Sequence, residues 1–502
     1  MIETLPEKPM TFADCLARVA EAPESRDNFL TDGRLTWHYR DILPIVERIA
    51  RHLADNGIAA RDCPAIECRN SVPGALALIA LLHAGIGFVL LPPSESDDQP
   101  SEFKPIPRFC GHRLSVAPVP REHESGWESN PGNFLRIESR AELGQAVLAP
   151  DLDTSGKLFL RTSGSMGAAK IVVHAHTGLL GNAQNCVRKY QFTAQDRCVI
   201  PVPIFHFYGF GAEFLPALLT GACMDLQGHS NLLRYLDRER RFQPTIAFVT
   251  PNLCEMLLKG WKSPRTSYKV IVTSGQRIRE DVFRDFDSLC GHRLVNQYGS
   301  TEMGATAACD PEDPIDLKAT TIGKAMPGVD LRVDCNDETE TGELLCRHPF
   351  GFLGYVDESG NWLSRAGEWY GTGDVAKIHE NGAIEILGRR DNRINRSGYL
   401  VLLSDIEKAM EGLEGISQVA IVASAAETIQ GQRIIAFCVA ESGGQRSGLE
   451  IRQASVAVLP KYAVPDEVVL LESLAILPSG KLDRQALVLL AESPENRSLP
   501  QA

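Results

Sequence analysis

Residues 158–173 read LFLRTSGSMGAAKIVV: an apolar run, a hydroxyl- and glycine-rich stretch closed by a lysine, then a β-branched run. Short apolar runs of this kind, bounded by turn residues, read as buried strands. Leu158–Leu160 and Val172–Val173 are therefore strands, and the glycine-rich segment is the loop between them. The alternation continues outward in both directions. Residues 42–57 carry apolar positions at helical spacing and close on Asn56-Gly57. Residues 74–91 give a helix, a glycine turn and a strand. Downstream come a strand at Cys198–Pro201, a helix near 213–219 and a strand at Thr245–Val249. A helix near 251–259 and a strand at Tyr268–Thr273 follow. Strands alternating with helices imply an α/β body with largely parallel sheets.

After about residue 315 short β segments dominate: Asp330–Val333, Gly342–Cys346, Val375–His379 and Ala383–Leu387. A highly charged stretch, Gly388 to Arg393, separates them from a fresh pattern of helix 404–412, strands 417–423 and 433–440, helix 448–459 and strand 467–471. The expected organisation is a large N-terminal domain, residues 1–390, with parallel-rich sheets, helices and a β-rich subdomain. A small α+β domain, residues 391–502, follows a hinge near Asp391. A chain of 502 residues is long enough for two or more cores.

Composition narrows the function classes. The chain is 44% hydrophobic and 23% charged, a globular balance. Its net charge of −13 provides no basic stripe for nucleic acid. The run Arg238 to Arg241 (RERR) reads as a solvated helix face. Thirteen cysteines, none in a C-x-x-C pair, suit buried or free thiols rather than a disulfide framework or a zinc site. The segment MIETLPEKPM lacks the basic and apolar regions of a signal peptide. The most apolar stretch, Ala75–Leu91, is interrupted by His83, Gly85 and Gly87 and ends at Pro92-Pro93. A helix, turn and strand fit it better than a membrane span, and a cytoplasmic setting is expected.

Five segments carry chemistry. In Thr162-Ser163-Gly164-Ser165-Met166-Gly167-Ala168-Ala169-Lys170, glycines let backbone N–H groups face an anion. The hydroxyls of Thr162, Ser163 and Ser165 add donors, and Lys170 adds charge. The spacing is not that of a Walker A loop, and Ile171 stands where that loop has its Mg-binding hydroxyl. Read alone, the segment fits a surface loop as well as a polyphosphate cradle. In Gln297-Tyr298-Gly299-Ser300-Thr301-Glu302 a tyrosine can stack on a purine, a threonine can bond a phosphate and a glutamate can hold Mg²⁺. Tyr370-Gly371-Thr372-Gly373-Asp374 offers a carboxylate for ribose hydroxyls, although plain turn chemistry also explains it. Gly388-Arg389-Arg390-Asp391 reads by default as an exposed charge cluster. Pro478-Ser479-Gly480-Lys481-Leu482-Asp483-Arg484 puts Lys481 on a loop tip.

Taken in order, these five segments resemble the adenylate-forming (AMP-binding) superfamily: acyl- and aryl-CoA ligases, luciferases and the adenylation domains of peptide synthetases. Leu81–Gly85, Pro203-Ile204-Phe205-His206, Gly342-Glu343-Leu344, Gly354-Tyr355 and Leu459-Pro460-Lys461-Tyr462 extend the resemblance over nearly the whole chain. It implies that Thr162, Ser163, Gly164, Ser165, Gly167 and Lys170 close over the β- and γ-phosphates of ATP. Gln297, Tyr298 and Gly299 would lie against the nucleotide, with Tyr298 on one side of adenine and Gly275 on the other. Thr301 would touch the α-phosphate, Glu302 would bind Mg²⁺, and Asp374 and Arg389 would hold the ribose. Asp391 matches the hinge position, and Lys481 matches the lysine that bridges the acid's carboxylate and the α-phosphate. The small domain would then be a mobile lid whose rotation withdraws Lys481 and brings the loop around Gly398 to the thiol.

The chain departs from the family pattern at Met166, Ala169 and Ile171. Asn395 stands where many members have a lysine that serves thiol transfer. The aspartate that binds an α-amino group in peptide synthetases is replaced by His206, which disfavours an α-amino acid. His206 would border the acid pocket, walled by aromatics of the Phe205–Phe210 run. Gln276 and Arg277 replace small residues there, which hints at a polar substituent or a shortened pocket. The expected activity is ATP-dependent activation of a carboxylic acid, aromatic or of medium length. Acyl-AMP and pyrophosphate form, and the acyl group passes to a thiol, CoA first. The alternatives are loading of a separate acyl or peptidyl carrier protein on its phosphopantetheine thiol, a non-catalytic adenylate-binding protein and, more remotely, a luciferase-type oxygenase.

Overall fold

A computed structural model describes residues 10–93, 106–119, 121, 124–140, 153–162, 170–228, 232–335, 340–390, 393–396, 399–428, 431–441, 446–477 and 482–492. The chain forms two compact bodies, residues 1–330 with 347–370, and residues 331–346 with 371–502.

The first body holds two large sheets among its described residues. One runs in the order Lys324–Ala325, Gly304–Ala308, Leu294–Ser300, Val270–Thr273, Ile246–Val249, Arg197–Ile200, Cys223–Leu226, Phe29–Thr31, Thr36–His38. Its centre is parallel, from Leu294–Ser300 across to Phe29–Thr31. Strands buried on both faces carry continuous apolar sequence. Ile246–Val249 (IAFV) and Val270–Thr273 (VIVT) are buried at every position. Helices Pro251–Gly260 and Glu280–Leu289 cover one face, with Trp261 stacked on Phe286 at 4.9 Å. The second sheet runs Trp362–Arg365, Gly354–Val356, Lys170–Ala175, Lys157–Thr162, Phe88–Leu91, Ala65–Glu67, His112–Val116, Leu135–Ser139. The strands flanking the glycine-rich loop pair antiparallel, Leu158 opposite His174.

Helix Val72–His83 begins at Ser71, whose hydroxyl accepts from the Gly74 N–H at 3.2 Å. Its residues from Val72 to Leu82 are all buried. A helix that is apolar all round is a core helix when other elements cover it. No helix among the described residues is long and apolar enough to cross a membrane.

In the second body one sheet runs Asp330–Cys335, Thr341–Arg347, Tyr370–Ile378, Ile384–Arg389. In the other, Gly431–Ala440 is flanked by Ile416–Thr428, antiparallel, and Glu467–Leu471, parallel, and also meets the hairpin Arg393–Arg396 and Tyr399–Leu402. Ile406 and Met410 of helix Leu403–Glu411 pack with Ile421, Ile434 and Ala436. The mixed α/β architecture agrees with the sequence reading.

Three local readings differ. The glycine turn at Tyr370–Asp374 lies within a nine-residue strand, Tyr370–Ile378, because its partner Ile384–Arg389 supplies the ladder. The helix expected through residue 459 ends at Ser455, ahead of Pro460. The Arg238–Arg241 run is only half solvated. Arg240 and Arg241 are exposed, but Arg238 pairs with buried Asp225, and buried Glu239 accepts from Tyr268 at 2.8 Å and Trp261 at 3.1 Å. Buried polar partners elsewhere in the fold override the charge-run pattern here.

Candidate functional site

Strand Leu294–Ser300 delivers Gln297, Tyr298 and Gly299 to a tight turn, and strand Gly304–Ala308 returns antiparallel with an irregularity at Tyr298/Gly299. Two glycines are needed there. A Cβ on Gly299 would lie 2.2 Å from the Gly304 carbonyl oxygen. Gly304 has φ +68°, and its Cβ would fall 1.8 Å from Asn182 Nδ2. The turn carries Thr301 and Glu302, and four donors hold its carbonyls. His174 Nε2 lies 2.7 Å from Thr301 O, Phe352 N 2.7 Å from Glu302 O, Asn182 Nδ2 3.3 Å from Met303 O, and His348 Nε2 3.3 Å from Ala305 O. A carbonyl only accepts, so both imidazoles carry their proton on Nε2. Burial lowers the pKa of each to about 4, so both rings are neutral near pH 7. The bare Nδ1 of His348 accepts from Phe350 N–H at 3.0 Å.

Glu302 meets the strand that follows the glycine-rich loop through one tyrosine. Tyr355 sits on Gly354–Val356, paired with Val172 of Lys170–Ala175. Its hydroxyl donates to Glu302 Oε1 at 2.8 Å, and Lys170 Nζ lies 5.4 Å from its ring centroid. Burial, and then the Glu302 charge, push the Tyr355 phenol up, so it stays a donor. Phe352 packs edge-on against Tyr355 and Tyr370 at 5.0 and 5.4 Å. Gln297 is buried, and its Oε1 accepts from the Tyr190 hydroxyl at 2.7 Å. Gly275, with φ +95°, is exposed after strand Val270–Thr273.

The segment from Phe205 to Tyr208 is part-exposed, and the chain is buried from Gly209 onward. Buried Asn70 fixes its approach. Its Nδ2 donates to Ile200 O and Val202 O at 3.0 Å and to Gln227 O at 3.2 Å, and its Oδ1 accepts from Ile204 N at 2.8 Å. A π-helix, Tyr208–Phe214, follows and continues as the α-helix Leu215–Thr220. Single π turns are rare and concentrate at functional sites. The Tyr208 hydroxyl lies 3.1 Å from Val249 O and 3.0 Å from Val272 O. Glu213 is fully buried, and its Oε1 accepts from Phe248 N at 3.0 Å. Phe207 stacks on His174, ring centroids 4.7 Å apart and planes 18° from parallel. The ring of His206 lies 4.5 Å from that of Phe205.

In the second body Asp374 and Arg389 are cross-strand partners, with Nη1 3.4 Å from Oδ1. Arg389 Nη1 also donates to Thr372 O at 3.0 Å. The Thr372 hydroxyl accepts from Asp374 N at 3.1 Å and donates to Leu344 O at 2.8 Å, and Gly373 N donates to Glu343 Oε1 at 3.1 Å. The carboxylate is largely buried and the guanidinium half-exposed.

The first body thus brings Lys170, Thr301, Glu302 and the His206 segment onto neighbouring elements, and the second pairs Asp374 with Arg389. The side chain of Thr162 lies outside the described residues, as do Ser163, Gly164, Ser165, Gly167, Asp391, Gly398 and Lys481. Sequence reasoning missed His174, Asn182 and His348, and gave Tyr355 no role. One signal was present: after Lys170, His174 is the polar residue in the apolar remainder of its strand, IVVHA.

Residues 16–356 match the family model described as AMP-binding enzyme, and residues 405–481 match that of the AMP-binding enzyme C-terminal domain. Indoleacetate–CoA ligase of Aromatoleum aromaticum is 26% identical over 469 residues, spanning 88% of this chain and 91% of that protein. The salicylyl-CoA synthase / salicylate adenylyltransferase of a Streptomyces species is 25% identical over 501 residues, spanning 91% and 89%. Among solved structures, ATP-bound MatB from Rhodopseudomonas palustris matches with a TM-score of 0.78 at 20% identity, covering 96% of this chain and 99% of that one. At that identity the match speaks for the fold.

Proposed function

The chain belongs to the AMP-binding enzyme family, and from that premise we propose that it joins a carboxylic acid to the AMP moiety of ATP, releases pyrophosphate and hands the acyl group to a thiol. It is an AMP-forming ligase of the acyl- and aryl-CoA synthetase kind. One observation carries the reading: Glu302, a carboxylate for the metal, accepts from the Tyr355 hydroxyl, and Lys170, a cation for the phosphates, lies over the same ring.

The chemistry asks for charge neutralisation and in-line placement more than for proton transfer. A carboxylate and ATP repel each other, and attack must fall on the α-phosphorus. Lys170 and the glycine-rich loop hold the β- and γ-phosphates, and Thr301 contacts the α-phosphate. Tyr298 packs on adenine, with Gln297 and Gly299 shaping that edge and Gly275 opposite. Asp374 accepts from the ribose hydroxyls beside Arg389. Lys481 bridges the two reacting anions, and the small domain turns near Asp391 to present the loop of Gly398 for the thiol step.

Glu302 fits a magnesium ion. Its carboxylate is part-exposed, and one oxygen is oriented by Tyr355. Among the described residues no cluster of three or more metal-ligating side chains occurs. Magnesium bound with a nucleotide takes one or two carboxylates, phosphates and water, so a single glutamate suffices. The ion supplies charge neutralisation at the phosphates.

The part-exposed rings of Phe205, Phe207 and Tyr208, with His206, favour an aromatic or medium-length acid, in keeping with the aromatic acids named for the two relatives. CoA is the first acceptor. Asn395, in place of a lysine, favours a separate carrier protein as the second reading. The cysteines suit a cytoplasmic setting: twelve of the thirteen are buried thiols, and Cys335 is exposed. A panel of carboxylic acids assayed by ATP–pyrophosphate exchange identifies the acid. That acid, supplied with ATP and either CoA or holo-carrier proteins, separates the acceptors. Thioester on CoA is expected; thioester on a carrier protein alone would reassign the acceptor, and no exchange with any acid would refute the activity.

A further inference from the structure

We propose that His174 is a positioning residue that ties the acid-binding wall to the turn carrying Thr301 and Glu302, so that acid contact and nucleotide geometry are set by one ring. The proposal rests on the function proposed above, which places Phe207 at the acid and Thr301 and Glu302 at the nucleotide.

His174 occupies a strand position whose neighbours Ile171, Val172 and Val173 are fully buried and apolar. Its own exposure is 1%. A buried imidazole costs free energy unless it is bonded, and this one makes two directional contacts. One face stacks on Phe207, centroids 4.7 Å apart and planes 18° from parallel. Its Nε2–H donates to Thr301 O at 2.7 Å.

The Thr301 carbonyl belongs to the planar peptide that joins Thr301 to Glu302. Fixing that oxygen fixes the plane from which both side chains leave. Asn182 and His348 hold the later carbonyls of the turn, but neither bonds the peptide between the two residues assigned to the nucleotide. Phe207 and Thr301 are 94 positions apart in sequence, and His174 touches both. One ring thus serves both: its face backs Phe207 on the acid side, and its Nε2–H holds the Thr301–Glu302 peptide.

The two contacts are separable by substitution. His174→Phe keeps a ring to stack on Phe207 and removes the donor. His174→Gln keeps an N–H donor and removes the aromatic face. Phe207→Leu removes the stacking partner from a part-exposed position and leaves His174 in place. All are assayed as full-length protein by acid-dependent ATP–pyrophosphate exchange, with melting temperatures alongside.

For His174→Phe, kcat falls about 10-fold while KM for the acid stays within about 3-fold, the scale of one hydrogen bond. For His174→Gln and for Phe207→Leu the pattern reverses: KM for the acid rises about 5- to 10-fold with kcat largely kept, the scale of an aromatic pair. Equal losses in all three variants that simply follow their melting temperatures would overturn the positioning role, as would three variants indistinguishable from the parent. If either His174 variant fails to fold, Phe207→Leu without a rise in acid KM overturns it by itself. A parent enzyme that exchanges with no acid defeats the proposed function and this role with it. An active parent with the wrong variant pattern defeats this role alone.

Discussion

Glu213 is a carboxylic acid with no exposure, one oxygen bound to a backbone N–H, and burial holding its pKa well above the usual carboxylate range. The folded chain therefore keeps this proton longer than the unfolded chain does. Below the unfolded value, about 4.3, the group is neutral in both states and costs nothing. As pH rises beyond that, the unfolded chain ionises first, and stability declines until the folded pKa is passed. Glu213→Gln should abolish this contribution: its melting temperature relative to the parent should climb as pH is raised from 5 toward 9. A difference that stays constant over that range would show that Glu213 does not titrate in this way. Tyr355 makes a second residue-scale case. Tyr355→Phe removes the donor to Glu302, a charge-assisted bond of about 1.5–3 kcal/mol, discounted here because the site is only half-buried. The expected result is a several-fold higher magnesium requirement with the acid KM unchanged. An unaltered magnesium titration would free Glu302 from this tether.

At the scale of elements, Asn70 joins three segments: the end of strand Arg197–Ile200, the loop leading to His206, and Gln227. Asn70→Ala leaves several buried backbone groups unpaired at about 1–3 kcal/mol each. A loss of at least about 2 kcal/mol in denaturant unfolding is expected, together with a raised acid KM. A loss below about 0.5 kcal/mol, the ordinary scatter of surface changes, would contradict that placement. The strand–helix alternation was legible because it depends on local periodicity: Ile246–Val249, helix Pro251–Gly260 and strand Val270–Thr273 lie close to where the sequence puts them. The π-helix at Tyr208–Phe214 was not legible, since its geometry is imposed by tertiary clips such as Tyr208 to Val249 and Val272. The strand through Tyr370–Asp374 was hidden for the opposite reason: its glycines signal a turn, and only pairing with Ile384–Arg389 makes a ladder.

At the scale of the molecule, the order of five short segments identified the family, and no one of them would have done so alone. Which residues support the turn of Thr301 and Glu302 was not legible. His174, Asn182 and His348 are separated from Thr301 and Glu302 by between 46 and 128 positions in sequence, and only folding brings them to one turn. Asp374 and Arg389, by contrast, were both legible as motif members, and their pairing follows from strand register. The proposed chemistry depends most on Lys481. The most direct measurement is acid-dependent ATP–pyrophosphate exchange by the parent enzyme and by Lys481→Ala, with ATP binding followed by calorimetry on both proteins. The account predicts exchange by the parent, its loss by a factor of about 100 or more in the variant, as for removal of a group that neutralises transition-state charge, and ATP affinity largely retained. Exchange at the parental rate in Lys481→Ala would contradict it.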